Sequence, residues 1–534
     1  MKLLPEEIWK EYEDGVSYLT QQNLYDIVKV NEDFFDGRQW EGIQTNTLPK
    51  PVINVLQRVV KYLVATVSSN DVAISMIPFT MSQADQDAID FISKAVEDTI
   101  ENAKIKEAWK LMIRNGAVDG SNYMLIEFDP EEETGQDIKG QIKVNLVDNT
   151  NMYFGNPYSN DIQSQPFIIV ALRQYITQVK QEAEDMGVKK DDIENIKPDN
   201  DYSQPNDTSD KLVTVLLKFY KKRTKVKEVK IERDLLGQEH EIVIEKEVKT
   251  VWFTKVTKDV VIIKPTDLGY KRYPISCFGW DMKKNSYIYN SPLTAVIPNQ
   301  IFINKCYALA QMYGMQSAFP KMVYDQNKIS IDDFNDNLQF GVSGLDIMGR
   351  VLDFIKVPDF SSNIIGLIQD IIQQTKECMG VNDASLGNVQ PDNTSAIIAL
   401  QETTNVPLEL QRQQYFQMVE DTVRNMLDVM GEAYGERQVM NEDGKLALVD
   451  FGVLKDINYQ LRVDIGNGSQ FSETAQMTTL NNLFSGQVID GMTLVENTPQ
   501  KLLTNKNKIL EKLKEQQEAM AQVQAQAQAM PPIQ

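Results

Sequence analysis

Few residues of this chain have types and spacings that could support chemistry, and the most suggestive are its clustered carboxylates. They occur at Glu131–Glu133, Asp191–Asp192 and Asp332–Asp333, and a nuclease could use such groups to hold magnesium. Each cluster lies in a predicted polar loop or helix cap, where a carboxylate is normally solvated. A carboxylate-metal nuclease is therefore only a minor alternative for the function of this chain.

Nucleophilic catalysis has as little support. His240 is the only histidine, and we expect it to face solvent in the charged stretch GQEHEIVIEKE. A Ser-His-Asp or Cys-His mechanism would depend on this one residue. Cys277, Cys306 and Cys378 are widely spaced without a CxxC pair, which indicates small core residues rather than disulfides or a zinc site. The sequence has no phosphate-loop, dinucleotide, zinc-protease or nucleophile-elbow motif. We therefore expect no enzyme activity, no metal and no cofactor.

The bulk composition is that of a folded protein, with 42% hydrophobic and 24% charged residues in a chain of 534. No run of about 18 apolar residues predicts a membrane span, and the acidic start MKLLPEEIWKEYEDG lacks a signal-peptide core. We expect a protein made and used in a cytoplasm or inside a particle. The net charge of −22 argues against simple non-specific DNA binding, which needs Lys and Arg on phosphates. It leaves open a surface past which DNA moves without sticking.

Residues 380–434 join a polar loop to a long amphipathic helix. The loop is rich in Gly and Asn, and Pro407 lies near the middle of the predicted helix. Proline removes one helical N–H and clashes with the carbonyl four residues earlier, so a kink is predicted. A loop held at the head of a kinked helix favours a part that touches something passing by over a catalytic site.

Before residue 177, helices and strands follow one another along the chain. Apolar residues at helical spacing predict three helices, over residues 5–31, 50–70 and 83–115. The second is expected to begin near Pro51 and the third to end near Gly116. Alternating patterns predict three strands, over residues 121–129, 141–148 and 167–176. A short helix and an exposed loop are predicted over residues 177–210.

Residues 211–264 alternate apolar and charged residues, which predicts three or four antiparallel strands with a turn at Leu236-Gly237-Gln238. Residues 211–258 contain 13 Lys and Arg against 7 Asp and Glu, a basic segment on an acidic chain. A solvated sheet face explains this pattern. A contact between subunits, against acidic neighbours, is the alternative.

Two predicted helices flank a small α/β insert. The first, mostly apolar, covers residues 291–318, and the second covers residues 361–379, with strand patterns at 319–325 and 344–359 between them. This order is typical of a stalk with a small head. Further on, a strand pair is predicted at 445–466 and helices at 472–489 and 498–522, the last packing in a larger helical layer rather than a free coiled coil.

The order of these parts resembles that of the portal proteins of tailed bacteriophages over roughly residues 30–500. FFDGRQWEG followed by LPKPVINVLQRVVKYLVATVSSN resembles the opening of that family. NSPLTAVIPNQIFINKCYALAQMYGMQSAFPKMVYD resembles its first stem helix running into the clip, and residues 361–379 the second stem helix. NDASLGNVQPDNTSAIIALQETTNVPLELQ resembles the tunnel loop and the start of the long kinked helix.

The resemblance implies an α+β fold divided as in a portal subunit. The expected parts are a wing (1–290), a stem helix (291–318), a clip (319–360), a second stem helix (361–380), a tunnel loop (381–396), a kinked wing helix with a strand pair (397–470), crown helices (471–525) and a disordered tail (526–534). The wing is expected to contain N-terminal helices and antiparallel sheets.

The resemblance also implies a structural head-to-tail connector that hydrolyses nothing. Portal proteins form a ring of typically about twelve subunits, a dodecamer, at one capsid vertex of the virion after assembly in the host cytoplasm. The expected partners are further copies of the chain, the terminase large subunit, head-completion or adaptor proteins, the major capsid and scaffolding proteins, and double-stranded DNA that passes through without sequence specificity during packaging and ejection. No membrane is expected. Another phage collar or connector-like protein is the main alternative.

The residues expected to carry this role fall into three groups. The tunnel loop would present Asn388, Gln390, Asp392 and Asn393 to DNA, and Pro407 would kink the helix behind it. Residues 381–396 contain no Lys or Arg, so contacts to phosphates should be weak and exchangeable. The clip would dock the motor through Asp325, Lys328, Asp332, Asp333 and Asn337, although an ordinary surface loop is an equal alternative for this segment.

Overall fold

The computed structural model describes residues 5–45, 48–69, 72–79, 82–134, 138–199, 211–233, 239–318, 322–325, 341–344, 352–354, 362–381, 406–440, 446–455, 459–465, 470–486, 489–498, 509 and 512. The chain divides into two compact units. One consists of residues 1–68 and 74–462, and the other of residues 69–73 and 463–534.

The larger unit begins with three helices, α1 (Pro5–Gln21), α2 (Leu24–Asp36) and α3 (Val55–Val67). The single helix predicted over 5–31 is wrong, because Asn23 adopts a left-handed conformation with φ 56° and divides it. Asparagine tolerates this conformation better than most residues. The predicted start of α3 near Pro51 is also wrong, because Asn54 caps the helix by accepting a hydrogen bond from the Gln57 N–H at 3.0 Å.

The helix predicted over 83–115 consists of α4 (Gln83–Asn102) and α5 (Ile105–Asp119). Lys104 separates them with φ 52°. The expected end near Gly116 is wrong, since α5 continues past it. A Cβ on Gly116 would lie 2.5 Å from Cδ1 of Phe278, so this glycine allows close packing of the helix on an aromatic ring rather than ending the helix.

Two antiparallel sheets form the body of the larger unit. The first has the order β3-β2-β9 and joins β2 (Ser121–Asp129), β3 (Gln141–Asp148) and β9 (Ile275–Gly279). The second has the order β4-β5-β6-β7-β8 and joins β4 (Met152–Phe154), β5 (Phe167–Tyr175), β6 (Leu212–Arg233), β7 (Glu239–Val256) and β8 (Val261–Asp267). The strands predicted over 121–129, 141–148 and 167–176 are confirmed, as is the antiparallel sheet over 211–264, which has three strands; the predicted turn at 236–238 lies outside the described residues.

The chain also contains shorter helices and strands beside these two sheets. Two helices follow β5, namely α6 (Ile176–Asp185) and α7 (Lys190–Glu194). A small ribbon pairs β10 (Asp281–Met282) with β11 (Tyr289–Asn290). Another two-stranded sheet pairs β1 (Val72–Pro78) with β17 (Tyr459–Ile465).

The two helices predicted around the α/β insert are confirmed as α8 (Pro292–Ala318) and α9 (Ser362–Cys378). Between them lies a three-stranded sheet of order β13-β12-β14, formed by β12 (Met322–Asp325), β13 (Gly341–Gly344) and β14 (Leu352–Phe354). β12 runs parallel to β13 and antiparallel to β14.

The last long helix of this unit, α10 (Glu409–Ala433), contributes many buried side chains and packs on β9 and β2. It leads into a hairpin of β15 (Glu436–Met440) and β16 (Leu446–Asp450). The strand pair predicted within 445–466 is therefore wrong: β16 pairs with β15, and β17 pairs with β1. A short 3-10 helix, Phe451–Lys455, separates β16 from β17.

The smaller unit contains two described helices, α11 (Gln470–Ser485) and α12 (Gly491–Asn497). The first confirms the helix predicted over 472–489. Asp490 caps α12 by accepting a hydrogen bond from the Thr493 N–H at 2.9 Å. The helix predicted over 498–522 and the tail 526–534 lie outside the described residues, apart from Thr498, Ile509 and Lys512.

Candidate functional site

The end of α9 is closed by a glycine motif. Gly380 adopts φ +74°, the Val381 N–H donates to the Lys376 carbonyl at 2.9 Å, and the Gly380 N–H donates to the Glu377 carbonyl at 2.9 Å. This pair of bonds is the Schellman motif, in which a left-handed glycine turns the chain away from the helix axis. Val381 is fully buried, so the chain leaves α9 from a fixed point.

Pro407 lies directly beside that point. It occupies the 3-10 helix Val406–Leu408, which leads without interruption into α10. A Cβ on Gly380 would lie 3.2 Å from Cβ of Pro407, and Leu408 is buried next to it. The segment 382–405 thus leaves the described fold at Val381 and rejoins it at Val406, with its two ends side by side. We call residues 379–381 and 406–408 the loop base.

Most residues predicted to form the site lie outside the described residues. These are Asn388, Gln390, Asp392 and Asn393 of the predicted tunnel loop, and Lys328, Asp332, Asp333 and Asn337 of the predicted clip. Asp325 ends β12, where its backbone pairs with Gly344. The first part of the predicted kinked helix, residues 397–405, also lies outside them, so the kink at Pro407 stays a prediction.

A cluster of buried amides fixes the first half of α8. The Gln300 side chain donates to the Ile53 carbonyl at 2.7 Å and accepts from the Val55 N–H at 3.2 Å. Asn304, one turn further, accepts from Gln300 at 3.0 Å and donates to the side-chain oxygen of Gln39. Because each bond satisfies a polar group inside the fold, the cluster ties α8 to the segment before α3.

The same cluster explains the opening motif noted in the sequence. Trp40 donates its indole N–H to the Pro51 carbonyl at 2.7 Å, and Asn54 donates to the Phe35 carbonyl at 2.8 Å. Gln39, Trp40 and Asn54 therefore hold residues 34–40 against residues 51–54, and the bond from Asn304 to Gln39 holds them against α8. Our sequence reasoning missed the amides of α8, although Gln300 and Asn304 stand four residues apart in a mostly apolar helix, and that spacing was the available signal.

A second missed group holds α10. The Arg272 guanidinium donates to Asp421 at 2.7 Å and to the Asn425 side chain at 3.1 Å. Asp428 accepts the backbone N–H groups of Lys271 and Arg272, each at 2.8 Å. Burial raises the pKa of Asp421 and Asp428, and the neighbouring Arg272 charge opposes that rise in both. These contacts lock the helix that follows the loop base into the body of the unit.

A pair of partly buried carboxyl groups, Glu32 and Asp119, lies near the start of α8. Arg114 forms a two-pronged ion pair with Glu32, one bond being 2.7 Å. Asp119, at the end of α5, lies in the same pocket, and burial together with the nearby Glu32 charge raises its pKa to about 9. Ser291 donates to the carbonyl of Ala117 at 2.9 Å, which joins this part of α5 to the first turn of α8.

The α8–α9 pair exposes apolar side chains toward its free end. Asn299 donates to Thr375 at 3.1 Å, which joins the start of α8 to the end of α9, so the helices run antiparallel. Beyond that contact, large apolar side chains on both helices are exposed in the single chain: Phe302, Leu309, Met315, Ile365 and Leu367. Apolar surface of this kind on a stalk marks a contact with another protein.

The residues considered for catalysis do not converge in the described structure. Glu131–Glu133 lie in an exposed turn and loop, Asp191–Asp192 are exposed in the first turn of α7, and the described residues contain no group of three or more His, Cys, Asp or Glu placed to hold a metal ion. Cys306 is buried, whereas Cys378 is exposed, so the expectation of three core cysteines is wrong. Asp332, Asp333 and the His240 side chain lie outside the described part.

The model of the phage P22-like portal protein family matches residues 9–534, and the chain belongs to this family. No curated protein matches the chain. The resemblance inferred from the sequence and the α+β fold class are thus confirmed.

Membership of this family defines the class of protein. The chain is a structural protein of a bacteriophage, a head-to-tail connector at the capsid vertex used in DNA packaging. Its family assembles in rings and associates with the capsid and the terminase. None of the described helices is long and apolar enough to cross a membrane.

Proposed function

We propose that the chain forms a ring of about twelve subunits at one capsid vertex, with a central channel for DNA packaging and ejection. The observation that carries this proposal is the loop base, which holds both ends of residues 382–405 between the stem-like pair α8–α9 and the buried helix α10. The exposed apolar side chains of α8 and α9 support contacts between neighbouring stems. The outer end of this pair would dock the terminase large subunit and later the head-completion proteins.

In this ring, residues 381–396 form the constriction around DNA. They include Asp383 and Asp392 and no Lys or Arg. Asn388, Gln390 and Asn393 can exchange weak contacts with phosphates, whereas Lys or Arg would anchor the backbone. An acidic channel wall also repels DNA from all sides and centres it. A strongly basic channel wall in the assembled ring would contradict this part of the proposal.

Negative-stain imaging of the purified protein tests the assembly. Rings with a central hole are expected. Monomers that cleave DNA in the presence of magnesium would overturn the proposal in favour of a nuclease.

Pro407→Ala tests the role of the loop base. Rings should still form, because Pro407 lies outside the stem contacts, but packaging should be impaired as the turn into α10 relaxes. Pro51→Ala, a proline substitution away from the loop base, is the matched control and should package normally. Normal packaging by Pro407→Ala in an assay of DNA protected from nuclease would contradict the role given to this turn.

The clip remains the proposed docking tip for the motor, through Asp325, Lys328, Asp332, Asp333 and Asn337. Support comes from its place between α8 and α9, at the end of the pair opposite the loop base. Charge reversal at Asp332 and Asp333 should weaken terminase binding in a pull-down and leave ring formation unchanged.

A further inference from the structure

A cavity of about 590 Å³ lies in the larger unit between α4, the turn that follows β2 and the β15–β16 hairpin. This volume is typical of ligand sites in proteins. Asp98 and Asn102 of α4 form part of one wall, Glu133 lies in another, and the hairpin contributes Arg437 and Leu446. No described residue of the loop base or of the α8–α9 pair lines it, so the cavity is a separate candidate site.

The cavity contains a buried arginine. Arg437 is 6% exposed, and it donates from Nε to the Tyr434 carbonyl at 3.2 Å and from Nη2 to the Lys139 carbonyl at 3.4 Å. Within the residues that the structure describes, Nη1 has no hydrogen-bond partner and no carboxylate forms an ion pair with this guanidinium. A buried charge is normally paired, and burial lowers the pKa of Arg437. The guanidinium therefore lacks an anion.

The guanidinium is held in place by an aromatic ring. Its Cζ lies 3.9 Å from the ring centroid of Tyr434. Tyr434 is itself buried beside Phe451, with 5.2 Å between the two ring centroids. Stacking of this kind leaves the edge of the guanidinium free to donate, and its planar fork matches the two oxygens of a carboxylate. Because the group is already positioned, little side-chain entropy is lost when an anion binds.

The acids beside the cavity are compensated by other residues. Asp98 lies 3.5 Å from the Lys94 ammonium, and Glu133 lies 3.6 Å from that of Lys139. Both carboxylates are also well exposed, at 49% and 83% of their side-chain surface, so water solvates them. The uncompensated charge of the cavity is therefore the positive charge of Arg437, which favours an anionic ligand.

Apolar side chains at the same hairpin favour a peptide over a small acid. Leu446 lines the cavity, and Leu448 stands two residues along β16 on the same face of the strand. Each is 64% exposed, and exposed apolar surface of this kind marks contacts with proteins. Among the described strands β16 pairs with β15 alone, so its other edge is open to the backbone of an extended peptide.

We propose that the cavity receives the carboxylate of a Glu or Asp side chain from an extended segment of a partner protein. The carboxylate accepts hydrogen bonds from Arg437, and apolar side chains next to it cover Leu446 and Leu448. The site is complete within one chain, so it does not depend on the proposed ring.

Peptide binding to the full-length protein tests the inference. The probe is the peptide Ser-Leu-Glu-Leu-Ser, acetylated at its N-terminus and amidated at its C-terminus, and the matched peptide has Gln in place of Glu. The Glu peptide should bind at least about ten-fold more tightly, because only its carboxylate forms charge-assisted bonds to the arginine. Ligand-observed NMR titrations measure both dissociation constants. Equal affinities, or no binding of the Glu peptide, would overturn the inference.

Arg437→Gln should abolish the preference for the Glu peptide. Arg223→Gln is the matched control, since it removes the same charge from a side chain that is 70% exposed and outside the cavity, and it should keep the preference. A preference that survives in Arg437→Gln would place the carboxylate elsewhere and would sink the proposal.

Asn102 provides a test that does not alter the core, because this residue lines the cavity and is exposed. Asn102→Lys should tighten binding of the Glu peptide a few-fold and Asn102→Asp should weaken it a few-fold, as expected for exposed charges near the bound anion. Neither substitution should change the affinity for the Gln peptide. Identical affinities of the Glu peptide for both variants would contradict binding in the cavity, even where Arg437→Gln fails to fold.

Acetate distinguishes a peptide site from a site for small acids. Acetate carries the carboxylate without the leucines, so it should displace the Glu peptide only at concentrations at least about ten-fold above those of the peptide itself. Displacement at equal concentrations would overturn the assignment to a protein partner. Negative-stain images of the same samples report ring formation separately, so the peptide result stands or falls without it.

Discussion

The two long helices α8 and α10 are alike in length and opposite in environment. α10 has 25 residues and is buried at intervals from Gln411 to Gly431. α8 has 27 residues, but its buried residues end at Ala308, and Leu309 and Met315 further along are exposed. α8 is nonetheless the more apolar sequence. An apolar helix that is left uncovered in one chain indicates a surface completed by another chain, whereas the more polar α10 serves the core of its own subunit.

The largest difference between the two helices is expected when the same substitution is made in each. Met426→Ala in α10 removes a fully buried side chain and should cost about 2–5 kcal/mol of unfolding free energy. Met315→Ala in α8, where the side chain is 56% exposed, should change the stability of the monomer by less than about 0.5 kcal/mol.

Urea unfolding of dilute monomer measures the change in unfolding free energy of both variants. A separate assay of ring association measures the effect of each variant on contacts between subunits. Met315→Ala should weaken association, because it removes apolar surface from the proposed stem contact. Equal losses of monomer stability in the two variants would mean that α8 and α10 do not differ in the way described.

The second test concerns Asp119, which lies beside the start of α8. Because the pKa of Asp119 is raised from 3.8 to about 9, the folded state keeps a proton between these two pH values that the unfolded state loses. The free energy of unfolding should therefore fall as pH rises through this window, by up to about 1.4 kcal/mol per pH unit. Asp119→Asn cannot ionise and should flatten the slope.

Unfolding midpoints at several pH values from 5 to about 8.5 check this prediction, since the window set by the raised pKa covers that range. Asp191→Asn, on an exposed residue of α7, is the control and should keep the wild-type slope. A wild-type slope in Asp119→Asn would show that the carboxyl does not hold its proton in the fold.

The smallest effect is expected at the loop base, where α9 ends and α10 is about to begin. Gly380→Ala and Gly187→Ala both put a side chain on a left-handed residue, with φ +74° and +71°, at a cost of about 1 kcal/mol each. Only at Gly380 does the new Cβ meet a neighbour, Pro407 at 3.2 Å, whereas Gly187 has open space.

The difference between the two alanine variants thus isolates the contact with Pro407. Gly380→Ala should lose more stability than Gly187→Ala in thermal unfolding and should also slow packaging. Equal losses of stability in the two variants would mean that Pro407 moves away from the new methyl group at no cost.

The elements that sequence patterns predicted well have a strong local signal. α9 repeats its apolar residues at helical spacing and β3 alternates them, whereas β2 and β5 are short, mostly apolar runs and α8 is a long, mostly apolar run that begins after Ser291. The two divided helices were predicted as continuous because Asn23 and Lys104 carry no proline or glycine signal, although both take positive φ. The Gly116 error has the opposite cause: a glycine needed for packing on Phe278 was taken as a helix end.

The candidate site was less accessible to such reasoning. The portal resemblance located the loop and Pro407 from the order of the parts, but it could not find the partners that hold them. Gln300 binds the backbone at Ile53, and Arg272 binds Asp421, across more than a hundred residues of sequence. Bonds of this range depend on the tertiary fold, so a local pattern cannot show them.

The loop base has a consequence for how this region can evolve. Val381 and Val406 lie on either side of the contact between Gly380 and Pro407. Residues 382–405 can therefore be exchanged without moving the two points at which they join the fold. Closing a longer loop between fixed ends costs little, about 0.6 kcal/mol for each doubling of its length. Insertions, deletions or wholesale exchange of the segment can therefore retune the passage for a different cargo while the helices on both sides keep their places.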